Sequence, residues 1–400
     1  MTGVNPNNPW GQSNTTNDPV HIDKPIREGS VTPDAPHAPT PQNKPNIPAA
    51  QDNFPAVNVA ILLPLSGAHS GIGQSMLQGA QLALFEMGYT KFNLMPRDTQ
   101  GTAQGASSAA QTALDEGAQL ILGPLFAHSV RAVKPIARQK NVNVIAFSTD
   151  WTLADNKTFL MGFMPFTQVE RVARYALSKG FVNFGLVAPQ DTYGNAVAGQ
   201  FNETILRQGG QMTKSIRYAS PNDTTVIQQI ADWKPASDTA TPVIQAVFMP
   251  VGATASDMIG SALSFNNLTP DKIRRLGTGL WDDPRIAAQP NVQGGWFAAP
   301  SPSMRKNFER KYGESYGTQP VRLATLAYDA TALAGVLAKN GHNRGGQPDF
   351  TFNAITHPNG FAGTDGIFRF KQNGIIERSL SILEIRNGRL VEIDAAPKRF

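Results

Sequence analysis

Val57-Asn58-Val59-Ala60-Ile61-Leu62-Leu63, halted by Pro64, is the stretch that decides the fold. Six of its seven residues are apolar, with no polar–apolar alternation. Such a run suits a strand covered on both faces, as in a parallel sheet. Beyond the loop 64–71, apolar residues recur at Ile72, Met76, Ala80, Ala83, Leu84 and Met87, one face of an amphipathic helix that Gly88 closes. Strand then helix is half of a βαβ unit, and the alternation continues. Strands are expected at 93–96, 119–122 and 142–147, with helices near 102–116 and 129–140. Strict alternation implies a parallel sheet with right-handed crossovers and helices on both faces.

After Pro165 the pattern begins again: helix near 168–179, strand 184–188, helix near 195–208, strand 212–218, helix near 224–232. Strand 244–249, helix 254–265 and strand 273–277 follow. Two further helices are expected near 303–312 and 322–340, and β-hairpins over 366–370, 380–385 and 390–393. The expected fold is therefore α/β, with two doubly wound, Rossmann-like lobes around a cleft. Residues 56–164 and 300–362 are assigned to the first lobe, and 165–299 and 363–400 to the second, with three crossovers between them.

Residues 1–55 differ in composition. Eleven prolines fall between Pro6 and Pro55 among Asn, Thr, Gln and Asp. Such a segment buries too little apolar surface to offset its ordering entropy, so it reads as a disordered, Pro-rich linker. A stretch added in cloning or by a misplaced gene start is the alternative. The start Met1-Thr2-Gly3-Val4-Asn5 shows no basic and apolar export signal, so a signal would have to lie outside this sequence.

The 400 residues hold 35 Lys and Arg against 30 Asp and Glu, a net charge of +5, scattered apart from Arg274-Arg275 and Lys398-Arg399. No basic stripe with interleaved aromatics appears, so nucleic acid is not an expected partner. The absence of cysteine excludes disulfides, thiol catalysis and thiolate metal sites in this chain. No stretch approaches ~18 uninterrupted apolar residues, so no transmembrane segment is expected.

Ligands of open parallel sheets lie beyond the carboxyl ends of the strands. Four loops follow strands in this way: Pro64–Gly71, Gly123–Ser129, Phe147–Asp150 and Gln190–Gly194. Their hydroxyls and helix-start N–H groups could hold an anion, or they are plain helix caps. From them come the candidate ligand-binding residues Ser66, Gly67, Leu125, Phe126, Ser148, Thr149 and Tyr193. Trp281 and Asp282, after Gly277-Thr278-Gly279-Leu280, are added as a cleft wall, with an Asp-capped helix start as the equal alternative. Gly71-Ile72-Gly73 is not a dinucleotide fingerprint, because Met76 stands where the third glycine belongs, and there is no P-loop. His69 and His128 would need Asp98 or Asp150 nearby for metal or acid–base work, and no spacing motif supports that over packing roles. No nucleophile–base–orienter set can be assembled. No catalytic residue, metal or cofactor is therefore expected, and the chain is read as a binding protein rather than an enzyme.

Leu63-Pro64-Leu65-Ser66-Gly67 with Gly73 and Gly79, and Tyr193-Gly194 with Phe201, resemble type I periplasmic binding proteins of the branched-chain amino-acid class. Pro96-Arg97-Asp98-Thr99, Leu122–Ala127, Val144–Ser148, Gln168–Arg171, Gly277–Asp283, Gly294–Pro300 and Leu323–Asp329 resemble the penicillin-binding protein activators of alphaproteobacteria. The likeness covers about residues 57–397. It implies a periplasmic protein, with anchoring at the outer membrane left open, that regulates a peptidoglycan synthase, a penicillin-binding protein. The alternative it implies is a solute receptor of an ABC transporter for branched-chain or other amino acids. In such receptors, hydroxyl groups on the loops matching Gly123–Ser129 and Ser148-Thr149 hold the ligand carboxylate. Leu125 and Phe126 stand here where small polar residues are usual, which argues against a free amino acid as ligand.

Overall fold

The computed structural model describes residues 54–220, 225–237 and 240–400. The expected linker lies outside them, apart from Phe54 and Pro55. The first sheet holds β1 (Val57–Leu63), β2 (Phe92–Asp98), β3 (Leu120–Leu122), β4 (Asn143–Ala146) and β5 (Thr158–Leu160), in the order β2-β1-β3-β4-β5. Every pairing is parallel. Helices α1 (Ser70–Met87), α2 (Ala103–Asp115) and α3 (Ala127–Gln139) make the crossovers. β1 lies inside the sheet, and all of its residues except Asn58 are buried. Each of its large aliphatic side chains contributes roughly 2 kcal/mol by leaving water.

Then come α4 (Pro165–Ser178), β6 (Asn183–Pro189), α5 (Thr192–Leu206), β7 (Gln211–Tyr218), α6 (Thr225–Ala231) and β8 (Ala246–Phe248). α7 (Ala253–Phe265), β9 (Arg274–Leu276), α8 (Pro284–Ala287) and β10 (Trp296–Ala299) complete the second series. α9 (Pro302–Tyr316), α10 (Ala324–Gly345) and α11 (Phe352–Ile355) return to the first lobe, where α10 packs along α1. The chain ends with β11 (Phe361–Gly363), β12 (Gly366–Phe370), β13 (Ile376–Arg378), β14 (Ser381–Arg386) and β15 (Arg389–Asp394). The second sheet runs β15-β14-β10-β9-β8-β6-β7, and β11-β12-β13 form a small sheet of their own.

Three details differ from the sequence reading. β5, only Thr158-Phe159-Leu160, is too short to show a period, yet it forms the edge of the first sheet beside β4. β10, where the sequence reading assigns no element, is a buried strand between β9 and β14. The hairpin region 363–400 divides: β14 and β15 extend the second sheet, whereas Phe368, Phe370 and Ile376 pack in the first lobe's core. Assigning all of 363–400 to the second lobe is corrected accordingly, because the apolar faces of β12 and β13 find Phe159 rather than the second sheet.

The crossings fix how the lobes meet. The chain leaves the first sheet at the carboxyl end of β5 through Met161–Met164 and returns from the carboxyl end of β10 through Pro300-Ser301. It crosses last at Ser379-Leu380 into β14, whose Ser381 pairs with Ala299. All three connections therefore sit at carboxyl ends of strands, so the loops at those ends lie between the lobes.

Candidate functional site

On the first lobe, Pro64 ends β1 and the chain turns sharply into α1. Gly73 permits that turn: a Cβ there would lie 2.0 Å from the Pro64 carbonyl oxygen. The anion expected at this loop is supplied by the protein. Ser66 Oγ donates to Asp98 Oδ2 at 2.6 Å, and the amides of Leu65 (2.9 Å), Ser66 (3.2 Å) and Gln100 (2.8 Å) donate to Oδ1. Burial opposes ionisation of Asp98, but the Ser66 hydroxyl and those amides outweigh it and hold the carboxyl below its ordinary value. Ser66 is thus already engaged by a fixed carboxylate from the end of β2. The adjoining Gly67 adopts φ +75°.

The loop before α3 carries Leu125, half-buried, and Phe126, buried. Phe126 is flanked by His69 on one side (centroids 4.8 Å) and stacks on His128 on the other (5.6 Å, planes 12° apart). His128 Nε2 lies 2.9 Å from the Gly101 carbonyl, and Ser129 Oγ donates to the Thr102 carbonyl at 3.2 Å. The two histidines that sequence placed on neighbouring loops do come together, with an apolar ring between them. After β4, Ser148 is buried and its Oγ accepts the Asp150 amide at 3.1 Å. Thr149 beside it is partly exposed, and Asp150 pairs with Arg131 while capping the turn 151–153.

On the second lobe, Asp191 caps α5 by accepting the Gly194 amide at 2.6 Å. Tyr193 OH meets Thr278 Oγ1 at 2.9 Å, and burial pushes its phenol well above the usual range. Tyr193 therefore ties two loops of its own lobe together. Tyr218, at the carboxyl end of β7, was not singled out in the sequence; burial, then the nearby Asp191 charge, pushes it up to about 12.

Trp281 is corrected. Its ring has no exposed surface, Nε1 donates to the Val251 carbonyl at 3.2 Å, and Phe297 packs beside it. It belongs to the second lobe's core, not to a cleft wall. Gly277 makes room for it, since a Cβ there would lie 2.2 Å from the indole. Asp282 faces the other lobe and meets Arg305 and Arg322. These arginines open a charge cluster that sequence reading missed. Arg322 binds Asp365 through both Nη atoms (3.0 and 2.9 Å), Thr325 Oγ1 donates to Asp365 at 2.6 Å, and Arg378 lies 3.9 Å from Asp329. Asp329 and Asp365 are both buried. Burial and then the charge of Asp365 push Asp329 up to about 6, while the Arg322 charge overcomes burial and holds Asp365 low.

A family model described as periplasmic binding protein matches residues 56–389. The chain belongs to the periplasmic binding protein family, with the type I fold of two parallel-sheet lobes. Among solved structures it is similar to a putative branched-chain amino acid ABC transporter protein from Rhodospirillum rubrum. That likeness has 19% identity and a TM-score of 0.73, and covers 84% of this chain and all of that one. Among curated proteins it is 30% identical over 161 residues to the penicillin-binding protein activator LpoA of Glaesserella parasuis, covering 40% of this chain and 27% of that protein. It is 20% identical over 201 residues to an uncharacterised protein of Rickettsia prowazekii, covering 47% and 52% respectively. The chain thus spans about half or less of the length of these curated relatives. Family membership implies a periplasmic or extracellular location. Among the described residues no helix is long and apolar enough to cross a membrane.

Proposed function

We propose that this protein is a non-enzymatic periplasmic regulator whose folded lobes engage a peptidoglycan synthase of the penicillin-binding class. The observation that carries this reading is the state of the loop after β1. A receptor for an amino acid needs free hydroxyl and amide donors for the ligand carboxylate, and here Ser66 and two amides of its loop already hold Asp98. A second carboxylate beside Asp98 would be repelled. Phe126, sandwiched by two histidines, removes a further polar position. The partial likeness to a penicillin-binding protein activator supports the same reading.

The test pairs two measurements on the full chain. Biolayer interferometry against the organism's own bifunctional penicillin-binding proteins should give a dissociation constant on the order of micromolar, useful when tethering raises local concentration. A thermal-shift screen of the common amino acids should show no stabilisation, whereas a true ligand at 100 times its Kd would add about 2.7 kcal/mol. No synthase binding, together with a shift of several degrees by one amino acid, would establish the solute-receptor reading instead.

A further inference from the structure

We infer that an ionic strut centred on Asp282 holds the two lobes at one angle, so that the protein acts as a rigid body and does not work by closing its cleft. Asp282 is fixed at its base by the neighbouring Trp281, buried in the second lobe's core. Its side chain is 8% exposed and reaches across to two arginines of the first lobe. Arg305 Nη1 and Nη2 lie 2.8 and 3.3 Å from its carboxylate oxygens, and Arg322 Nε lies at 3.4 Å. Arg305 projects from α9, whose Phe308 and Tyr312 pack with Leu82 of α1. Arg322 precedes α10, is held by Asp365, and lies 4.2 Å over the ring of Phe163 in the first crossing. Arg378, at the last crossing, donates to the Met161 carbonyl at 3.2 Å and lies 5.3 Å from the same ring. Two of the three crossings are thus packed against the cluster that Asp282 enters.

The arginine side chains are 15% and 20% exposed, so little water screens these pairs while the lobes stay in contact. Rotation about the crossings would strip Asp282 of both arginines, leaving Arg305 with Glu309 and Arg322 with Asp365. A second contact lies elsewhere on the interface: Trp151 of the first lobe meets Phe166 of α4 edge-on, with centroids 5.0 Å apart. Contacts at two separate places fix an angle where one would leave a pivot. The inference goes beyond the proposed partner and does not depend on it.

The chain has no cysteine, so a label pair can be introduced cleanly. Gln104→Cys at the start of α2 and Thr192→Cys at the start of α5 are exposed positions on opposite lobes. Spin labels on the full-length double variant should give one narrow distance distribution by pulsed dipolar spectroscopy, the same at 0.05 and 0.5 M NaCl. Adding Asp282→Asn should broaden or shift that distribution while circular dichroism stays unchanged. Arg305→Met provides a second route to the same loss if the Asn variant folds poorly. A broad or two-peaked distribution with the strut intact would overturn the inference, as would variants whose distributions match the parent's. Synthase binding is measured separately, so either idea can fail without the other.

Discussion

Replacing Asp365 by Asn keeps its volume and removes its charge. The side chain has no exposed surface and accepts three hydrogen bonds, from Arg322 Nη1 and Nη2 and from Thr325 Oγ1. An Asn amide can replace one acceptor oxygen at most and turns an N–H group toward the guanidinium. Breaking one partner out of a buried pair costs about 3–5 kcal/mol. Part is offset at Asp329, whose folded pKa of about 6 against 3.8 reflects burial first and the Asp365 charge second. That shift corresponds to about 3 kcal/mol in all, of which only the Asp365 share is returned. A net loss of about 2–4 kcal/mol should lower the melting temperature of a protein of this size by roughly 3–6 °C. Scanning calorimetry at pH 7.5 measures it. The pH dependence gives an independent reading. Because the native state binds the Asp329 proton more tightly than the unfolded chain, the contribution of this group to stability rises as pH falls from about 7 to about 4. That rise should be smaller in Asp365→Asn. A variant melting within about 2 °C of the parent, with an unchanged pH slope, would refute the coupling drawn here.

Trp281→Ala empties a fully buried indole site in the second lobe and should cost about 3–5 kcal/mol in urea unfolding. Ser66→Ala removes the 2.6 Å hydrogen bond to Asp98 but leaves its amide donors. Carbon-detected NMR titration should show the Asp98 pKa moving up toward the ordinary carboxylate value, with about 1 kcal/mol lost in stability. Deleting residues 1–55 should leave synthase affinity in solution unchanged but abolish activity in cells. This expectation rests on the sequence reading of the segment as a Pro-rich linker. Complementation with the truncated gene checks the second half.

Sequence alone determined the elements whose signal is local. β1 is legible because six of its seven successive residues are apolar and buried, and α1 because its apolar residues repeat every three or four positions. From their alternation the paired parallel sheets followed, and so did the placing of Ser66, Phe126 and Ser148 on loops at strand ends and of Tyr193 in the helix turn after one. Tertiary structure decided what those loops do. Ser66 and Asp98 are 32 residues apart, and only the parallel register of β1 with β2 sets the carboxylate under the hydroxyl. Trp281-Asp282-Asp283 reads equally well as a cleft wall or as an Asp-capped helix start, and an aromatic after a glycine turn carries no period that reveals its direction. β5 has too few residues to show one at all. The cluster of Asp282, Arg305, Arg322, Asp329, Asp365 and Arg378 is assembled from two lobes by chain crossings. Charges in a sequence look alike whether solvated or buried, and their cost and their pairing are settled only when packing removes the water between them.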